Sequence, residues 1–221
     1  MTNVVWADRF INRGAAYHDF PESGWDKIMA LNVKSMFYTT VGLDALLKKG
    51  ATAENPNRVI NIASMAGIQT TDVTTGDEGG LSAPGHGTFS YGPSKAACVH
   101  LTKMQASKLM PDHITVNCIC PGVFPSRMTS YGLREARDTL TAGQPSGRVG
   151  MPEDFAGVVL FLSSRGSAHM TGNVIELDGG SVSLPRIKRG LEMRGRYAKS
   201  FLSSKRFTDM RSCANHFGNS S

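Results

Sequence analysis

Apolar and polar positions follow two different rhythms along this chain. Trp25, Ile28, Met29, Val33 and Phe37 recur every three or four residues, the spacing of a helix that buries one face. Ser23 followed by Asp26 is close to a capping box, and Lys48-Lys49-Gly50 places cations and then a glycine at a helix end. One helix is therefore predicted from Pro21 to Lys49. After the turn Asn55-Pro56-Asn57 the rhythm changes. Arg58-Val59-Ile60-Asn61-Ile62-Ala63-Ser64 is a β-branched run suited to a strand buried on both faces. A helix from Tyr91 to Leu109 follows, then a second buried strand, Ile114–Cys120, stopped by Pro121-Gly122. Beyond a loop at Val123–Thr129 come a helical stretch over 130–141 and a turn at 147–154. An apolar helix, Phe155–Leu162, is next, with a proline and two acids before it. A last strand starts at Asn173 and turns at Asp178-Gly179-Gly180. Residues 1–20 read as irregular apart from a short strand at Val4-Val5-Trp6. Helices and strands in alternation predict an α/β fold, a parallel sheet covered by helices.

Length and composition narrow this further. The chain has 221 residues, enough for one domain with a small appendage, and 40% of them are hydrophobic, as in an ordinary globular protein. No apolar run reaches the roughly 18 residues of a membrane span. Met1–Asp8 lacks a basic region followed by an apolar core and reads as no secretory signal. Cys98, Cys118, Cys120 and Cys213 are not spaced as a disulfide framework. Cys118-x-Cys120 without a second pair does not make a zinc site, so no metal is expected. Buried reduced thiols, and hence a cytoplasmic protein, are the expectation. The net charge of +6 belongs to the tail, because residues 186–211 hold nine basic and two acidic residues. From 185 to 221 the segment reads as a basic, disordered tail, with a basic amphipathic helix as the alternative. The loop over 68–88, rich in Gly, Thr and Asp, is either a binding loop or a surface insertion. His86 within it reads as solvated.

The candidate chemistry centres on Phe89-Ser90-Tyr91-Gly92-Pro93-Ser94-Lys95. Tyr91 and Lys95 are four apart at the start of a helix, so both side chains share one face. A cation beside a phenol favours its ionised form, and a tyrosine so tuned can give or take a proton in a transition state. Ser64 stands at the carboxyl end of a predicted strand, where α/β folds place their ligands.

Asn32 in Leu-Asn-Val-Lys, Ser64 in Asn-Ile-Ala-Ser-Met-Ala-Gly, Tyr91 with Lys95, and Pro121-Gly122 occur in one order. Gly147-Arg148 to Pro152-Glu153-Asp154 and Thr171-Gly172 to Asp178-Gly179-Gly180 continue it. Together they resemble the short-chain dehydrogenase/reductase family over residues 20–182. Tyr-Gly-Pro-Ser-Lys-Ala-Ala and Pro-Gly-Val-Phe-Pro-Ser-Arg-Met-Thr look most like its 3-oxoacyl-[acyl-carrier-protein] reductase branch. The resemblance implies a doubly wound Rossmann-like sheet and hydride transfer between a nicotinamide cofactor, NADP or NAD with NADPH favoured, and a carbonyl. It implies catalytic roles for Asn32, Ser64, Tyr91 and Lys95. Tyr91 is the implied acid or base, Lys95 its cation and the holder of the nicotinamide ribose, Ser64 the substrate-oxygen donor, and Asn32 the holder of a relay water. Pro121, Gly122, Val123 and Ser126 are implied to face the nicotinamide.

Two features of that family's pattern have no counterpart here. The Gly-x-x-x-Gly-x-Gly phosphate turn is absent, and residues 9–16 stand where an Asn-Asn-Ala-Gly turn is expected without matching it. The expectation is thus a partial Rossmann-like sheet lacking its first strands, with ends that read as grafted. It is either a reductase of 3-oxoacyl thioesters or a non-catalytic remnant acting on a partner. The family also implies a homo-oligomer formed through the long helices. A nucleic-acid or membrane binder working through the tail is the least favoured reading, and neither partner is expected.

Overall fold

The computed structural model describes residues 3–6, 14–69, 84–142 and 144–184. The basic segment from 185 onward, Cys213 and most of the 68–88 loop lie outside the described residues. Everything described falls within one unit bounded at Arg186.

Four strands, β1 (Asn3–Trp6), β2 (Asn57–Ile62), β3 (Ile114–Pro121) and β4 (Val174–Leu177), form one sheet in the order β1-β2-β3-β4. All three pairings are parallel, with Val4 opposite Val59, Ile60 opposite Asn117 and Ile119 opposite Ile175. Parallel neighbours need crossovers, and here helices supply them. The short strand expected at Val4-Val5-Trp6 is therefore an integral part of the sheet. A 3₁₀ turn at Tyr17–Asp19 follows it.

Alternation along the strands sorts the core into two layers. Val59, Ile114 and Val116 face Leu47 and Ala106, while Ala63, Cys118 and Cys120 face Met36 and Cys98. These side chains pack under α3 (Asp44–Lys48) and α4 (Tyr91–Leu109), with Met36 coming from α2 (Ser35–Gly42). Ile60 and Ile119 point the other way, onto Leu162 of α7 (Pro152–Ser163), with Phe155, Val158 and Val159 around it. Helices on both faces explain why β2 and β3 are buried almost throughout. Each large aliphatic side chain taken from water in these layers stabilises the fold by about 1.5–3 kcal/mol before entropy is counted. Cys98, Cys118 and Cys120 are buried and form no disulfide, as expected. Hydrogen bonding with Cys118, and then burial, hold the Cys120 thiol above its ordinary range.

The predicted helix from Pro21 to Lys49 is broken in two places. It runs as α1 (Glu22–Met29), a π-helical turn (Ala30–Lys34), α2, and α3 after a break at Leu43. Its N-cap is Pro21, and Ser23 lies inside α1 with no capping role. Gly50 ends α3 with a φ of 70°, a left-handed conformation that glycine adopts without steric cost. The helical stretch over 130–141 is two short helices, α5 (Ser130–Glu135) and α6 (Arg137–Ala142).

Candidate active site

The carboxyl ends of β2 and β3 and the start of α4 meet on one edge of the sheet. Tyr91 is the first residue of α4 and is half-buried, while Lys95 one turn on is 2% exposed. A lysine so buried has to be held by polar groups. Its Nζ donates to the carbonyl of Ile62, the last residue of β2, at 3.2 Å, and lies 5.5 Å from the centroid of the Tyr91 ring. The i, i+4 spacing has thus put the ammonium beneath the phenol, and β2 supplies the acceptor that anchors it.

Ser64 follows two residues after Ile62, in extended backbone with φ −170°. It caps the 3₁₀ turn Met65–Gly67, and its Oγ accepts from the Ala66 N–H at 3.1 Å. The hydroxyl hydrogen can still be given to a substrate oxygen.

Asn32 reaches the same place from a different element. It sits in the π-helical turn, 1% exposed, and its Nδ2 donates to Ser94 Oγ at 2.9 Å. Ser94 Oγ donates in turn to the Tyr91 carbonyl at 2.7 Å. A π turn adds a residue to the helical repeat, a device common at functional sites. Among the described residues, Asn32 Oδ1 is buried with no hydrogen-bond partner. Ser94, the link between Asn32 and Tyr91, is a residue that sequence reasoning passed over. Its signal was its position three after Tyr91 and next to Lys95.

The third wall is the end of β3. Pro121 closes that strand opposite Leu177, and the Gly122 N–H donates to the Leu177 carbonyl at 2.9 Å. A Cβ on Gly122 would lie 2.7 Å from the Asp178 Cα, so only glycine permits this approach of β3 to β4. Asp178, which the sequence offered only as the start of the closing Asp-Gly-Gly turn, holds that corner by accepting from Gly180 N–H and Val182 N–H at 2.9 and 2.7 Å. The Val123 carbonyl accepts from Gly150 N–H at 2.9 Å. Arg148 grips Asp154 with two hydrogen bonds of 2.6 and 2.9 Å, and Asp154 also accepts from Met151 N–H at the start of α7. The Arg148 guanidinium, with that backbone bond, lowers the Asp154 pKa to about 2. The loop from Val123 is thereby pinned to the turn ahead of α7. Ser126 is placed differently from the other expected residues. Its hydroxyl and backbone are engaged with Thr129, whose Oγ1 also donates to the Phe124 carbonyl, so its hydrogen bonds stay inside this loop.

The structure therefore links Asn32 through Ser94 to the Tyr91 carbonyl, and Lys95 to the strand end two residues before Ser64, with Pro121–Val123 at the neighbouring strand end. His86 is exposed, its Nδ1 3.0 Å from the Pro84 carbonyl. Among the described residues no group of His, Cys, Asp and Glu could hold a metal ion, and no helix is long and apolar enough to cross a membrane.

A family model described as Enoyl-(Acyl carrier protein) reductase matches residues 2–182. The chain belongs to this group of short-chain dehydrogenases/reductases. It is 46% identical over 169 residues to the Rhamnolipids biosynthesis 3-oxoacyl-[acyl-carrier-protein] reductase of Pseudomonas aeruginosa, covering 76% of this chain and 61% of the relative. It is 33% identical over 172 residues to the 3-oxoacyl-[acyl-carrier-protein] reductase FabG of Thermotoga maritima, covering 78% and 63%. The solved Pseudomonas aeruginosa RhlG/NADP active-site complex superposes with a TM-score of 0.69 at 41% identity, over 81% of this chain and 64% of that one. The chain thus spans about three fifths of the length of these curated relatives.

Proposed function

We propose that this chain carries the catalytic part of an NADP(H)-dependent reductase acting on 3-oxoacyl thioesters. Support comes from the names of the relatives above, from the NADP named in the one solved complex among them, and from the residues themselves. The observation that carries the reading is the buried Lys95 ammonium, anchored on Ile62 and set 5.5 Å from the Tyr91 ring. The described residues fit the nicotinamide-ribose end of such a cofactor. Lys95, Tyr91 and the unpartnered Asn32 Oδ1 place polar groups beside a largely apolar core. No counterpart of a phosphate-cradling glycine turn lies among the described residues.

When bound, the cofactor supplies the hydride that the carbonyl carbon accepts. Everything else is proton handling. Ser64 Oγ donates to the substrate oxygen and polarises the carbonyl. Tyr91 Oη gives its proton to that oxygen as the C=O bond becomes C–OH. Lys95 stabilises the negative charge left on Tyr91. Asn32, through Ser94, fixes the first turn of α4, and its free Oδ1 can orient a water that returns a proton. Val123 and the loop pinned behind it offer backbone polar groups to the carboxamide. By the same reading, copies of the chain associate through the exposed faces of α2 and α4, and the protein acts in the cytoplasm.

The test is a fluorescence titration of purified protein with NADPH. Saturable binding that Lys95→Ala abolishes, together with NADPH-dependent reduction of a 3-oxoacyl thioester, is the expected outcome. No binding at millimolar NADPH would overturn the reading and favour a non-catalytic remnant.

A further inference from the structure

We infer that Gly67 is a positioning residue that sets where Ser64 stands relative to Tyr91 and Lys95. This rests on the reductase reading above. The turn carrying Ser64 lies directly on the backbone of α4. A Cβ on Gly67 would sit 2.5 Å from the Lys95 carbonyl carbon, 2.7 Å from the Ala96 nitrogen and 2.7 Å from the Lys95 carbonyl oxygen. All three are backbone atoms inside a 19-residue helix, so none can swing aside as a side chain can. Carbon atoms pack at about 3.5–4.0 Å, so any side chain here would push the turn off the helix by roughly 1 Å.

A second contact says the same of the turn's middle. Gly92 presents its Cα to the Ala66 carbonyl, and a Cβ there would lie 3.3 Å from that oxygen. Lys95 is thus held from two sides. Its backbone is pressed by Gly67, and its Nζ is bonded to the Ile62 carbonyl at 3.2 Å, five residues earlier on the same connection. Ser64 lies between these two points. It is tied to the turn by its own Oγ, which accepts from Ala66 N–H, and by its carbonyl, which accepts from Gly67 N–H at 3.0 Å. Moving Gly67 therefore moves Ser64 while leaving Lys95 bonded to β2. The physical consequence is a wrong distance between the substrate-oxygen donor and the proton donor, not a lost residue. A misplacement of about 1 Å in such a pair costs on the order of 100-fold in rate.

The experiment is a double-mutant cycle with a milder companion variant. Gly67→Ala, Ser64→Ala and the double variant are assayed for kcat on a 3-oxoacyl thioester, with NADPH affinity measured separately by fluorescence. Gly67→Ala is expected to lower kcat by about 100-fold and leave NADPH affinity within about twofold. In the Ser64→Ala background it should lower kcat by no more than about twofold, because the group it misplaces is already gone. Gly92→Ala gains helix propensity but brings a Cβ to 3.3 Å from the Ala66 oxygen, so its melting temperature is measured beside kcat as the check that it folds. Its kcat should drop, and again only when Ser64 is present. Independent losses that multiply in both backgrounds, or NADPH affinity falling in step with kcat, would overturn the inference.

If Gly67→Ala does not fold, the Gly92→Ala cycle decides. If the parent protein turns over no thioester, the reductase reading fails, and hydrogen exchange decides this one. In Gly92→Ala the Ala66 and Gly67 amides should then exchange faster while the Ile60 amide in β2 is unchanged. Unchanged exchange at Ala66 and Gly67 would count against it.

Discussion

Lys95 brings a formal charge to a place where 2% of its surface meets solvent, and the fold answers with a strand-end carbonyl and an aromatic face. Removing the charge and removing the phenol should therefore do different things. Tyr91→Phe keeps the ring that stacks near Nζ and deletes the proton, so kcat should fall by about 10²–10⁴-fold with cofactor affinity nearly intact. Lys95→Met keeps most of the buried volume and deletes the charge, so both kcat and NADPH affinity should fall, and the melting temperature should hold or rise. Burying a cation costs desolvation even where polar groups hold it, and an apolar replacement of similar length is often neutral or stabilising. Steady-state kinetics with a parallel thermal melt separates the two variants. Equal losses of affinity in both would show that Tyr91 binds cofactor as strongly as Lys95 does. Ser94 belongs at this scale too. It was not singled out in the sequence because a serine in a helix is usually a solvated position. Its role became visible only when the π turn brought Asn32 against it.

At the level of elements, the Arg148–Asp154 pair joins the pinned loop at Val123 to the start of α7. Asp154 has a native pKa of about 2, against about 4 for an aspartate in an unfolded chain. Its folded pKa is the lower one. Its contribution to stability is therefore complete above about pH 4 and is lost as the pH falls toward 2. Asp154→Asn keeps an acceptor for Met151 N–H and loses the paired charge. The gap in urea midpoint between parent and variant should be present near neutral pH, narrow below about pH 4 and close by about pH 2. A gap unchanged across that window would mean the pair adds nothing beyond the cap. The strands β2, β3 and β4 were legible in the sequence because their β-branched runs stand out, with β3 ended by Pro-Gly and β4 followed by Gly-Gly. The breaks within α1–α3 were not. Apolar residues at helical spacing continue straight through Asn32 and Gly42, and periodicity alone cannot register a π turn or the change of direction at Leu43. Nor could spacing reveal that Gly122 touches Asp178, a contact between segments more than fifty residues apart.

Among the described residues, α2 and α4 carry large apolar side chains that the fold leaves exposed. The described part of the chain was readable as an α/β sheet because helix and strand alternate. Which helix faces end up buried depends on what else covers them. On α2, Met36 and Thr40 turn into the core, while Phe37, Tyr38 and Val41 are 44%, 61% and 54% exposed. Phe37 and Tyr38 stack edge-to-face with centroids 5.2 Å apart, and Met104 on α4 is 58% exposed. A monomer rarely shows so many large apolar side chains on adjoining helices without a use for them. Self-association through these helices would bury them, and a stable interface of ordinary size takes about 800 Å² from each partner. The parent protein should therefore sediment as a dimer or larger at micromolar concentration. Tyr38→Asp combined with Val41→Glu puts two charges into that patch, where burial would leave them unpaired and cost several kcal/mol. Both positions are mostly exposed, so the variant should fold with a melt close to that of its own monomer and sediment as a single chain. Association that survives both charges, or a parent that is already monomeric, would place the interface elsewhere or nowhere. In the second case the exposed stripe on α2 would have to be explained by a different partner.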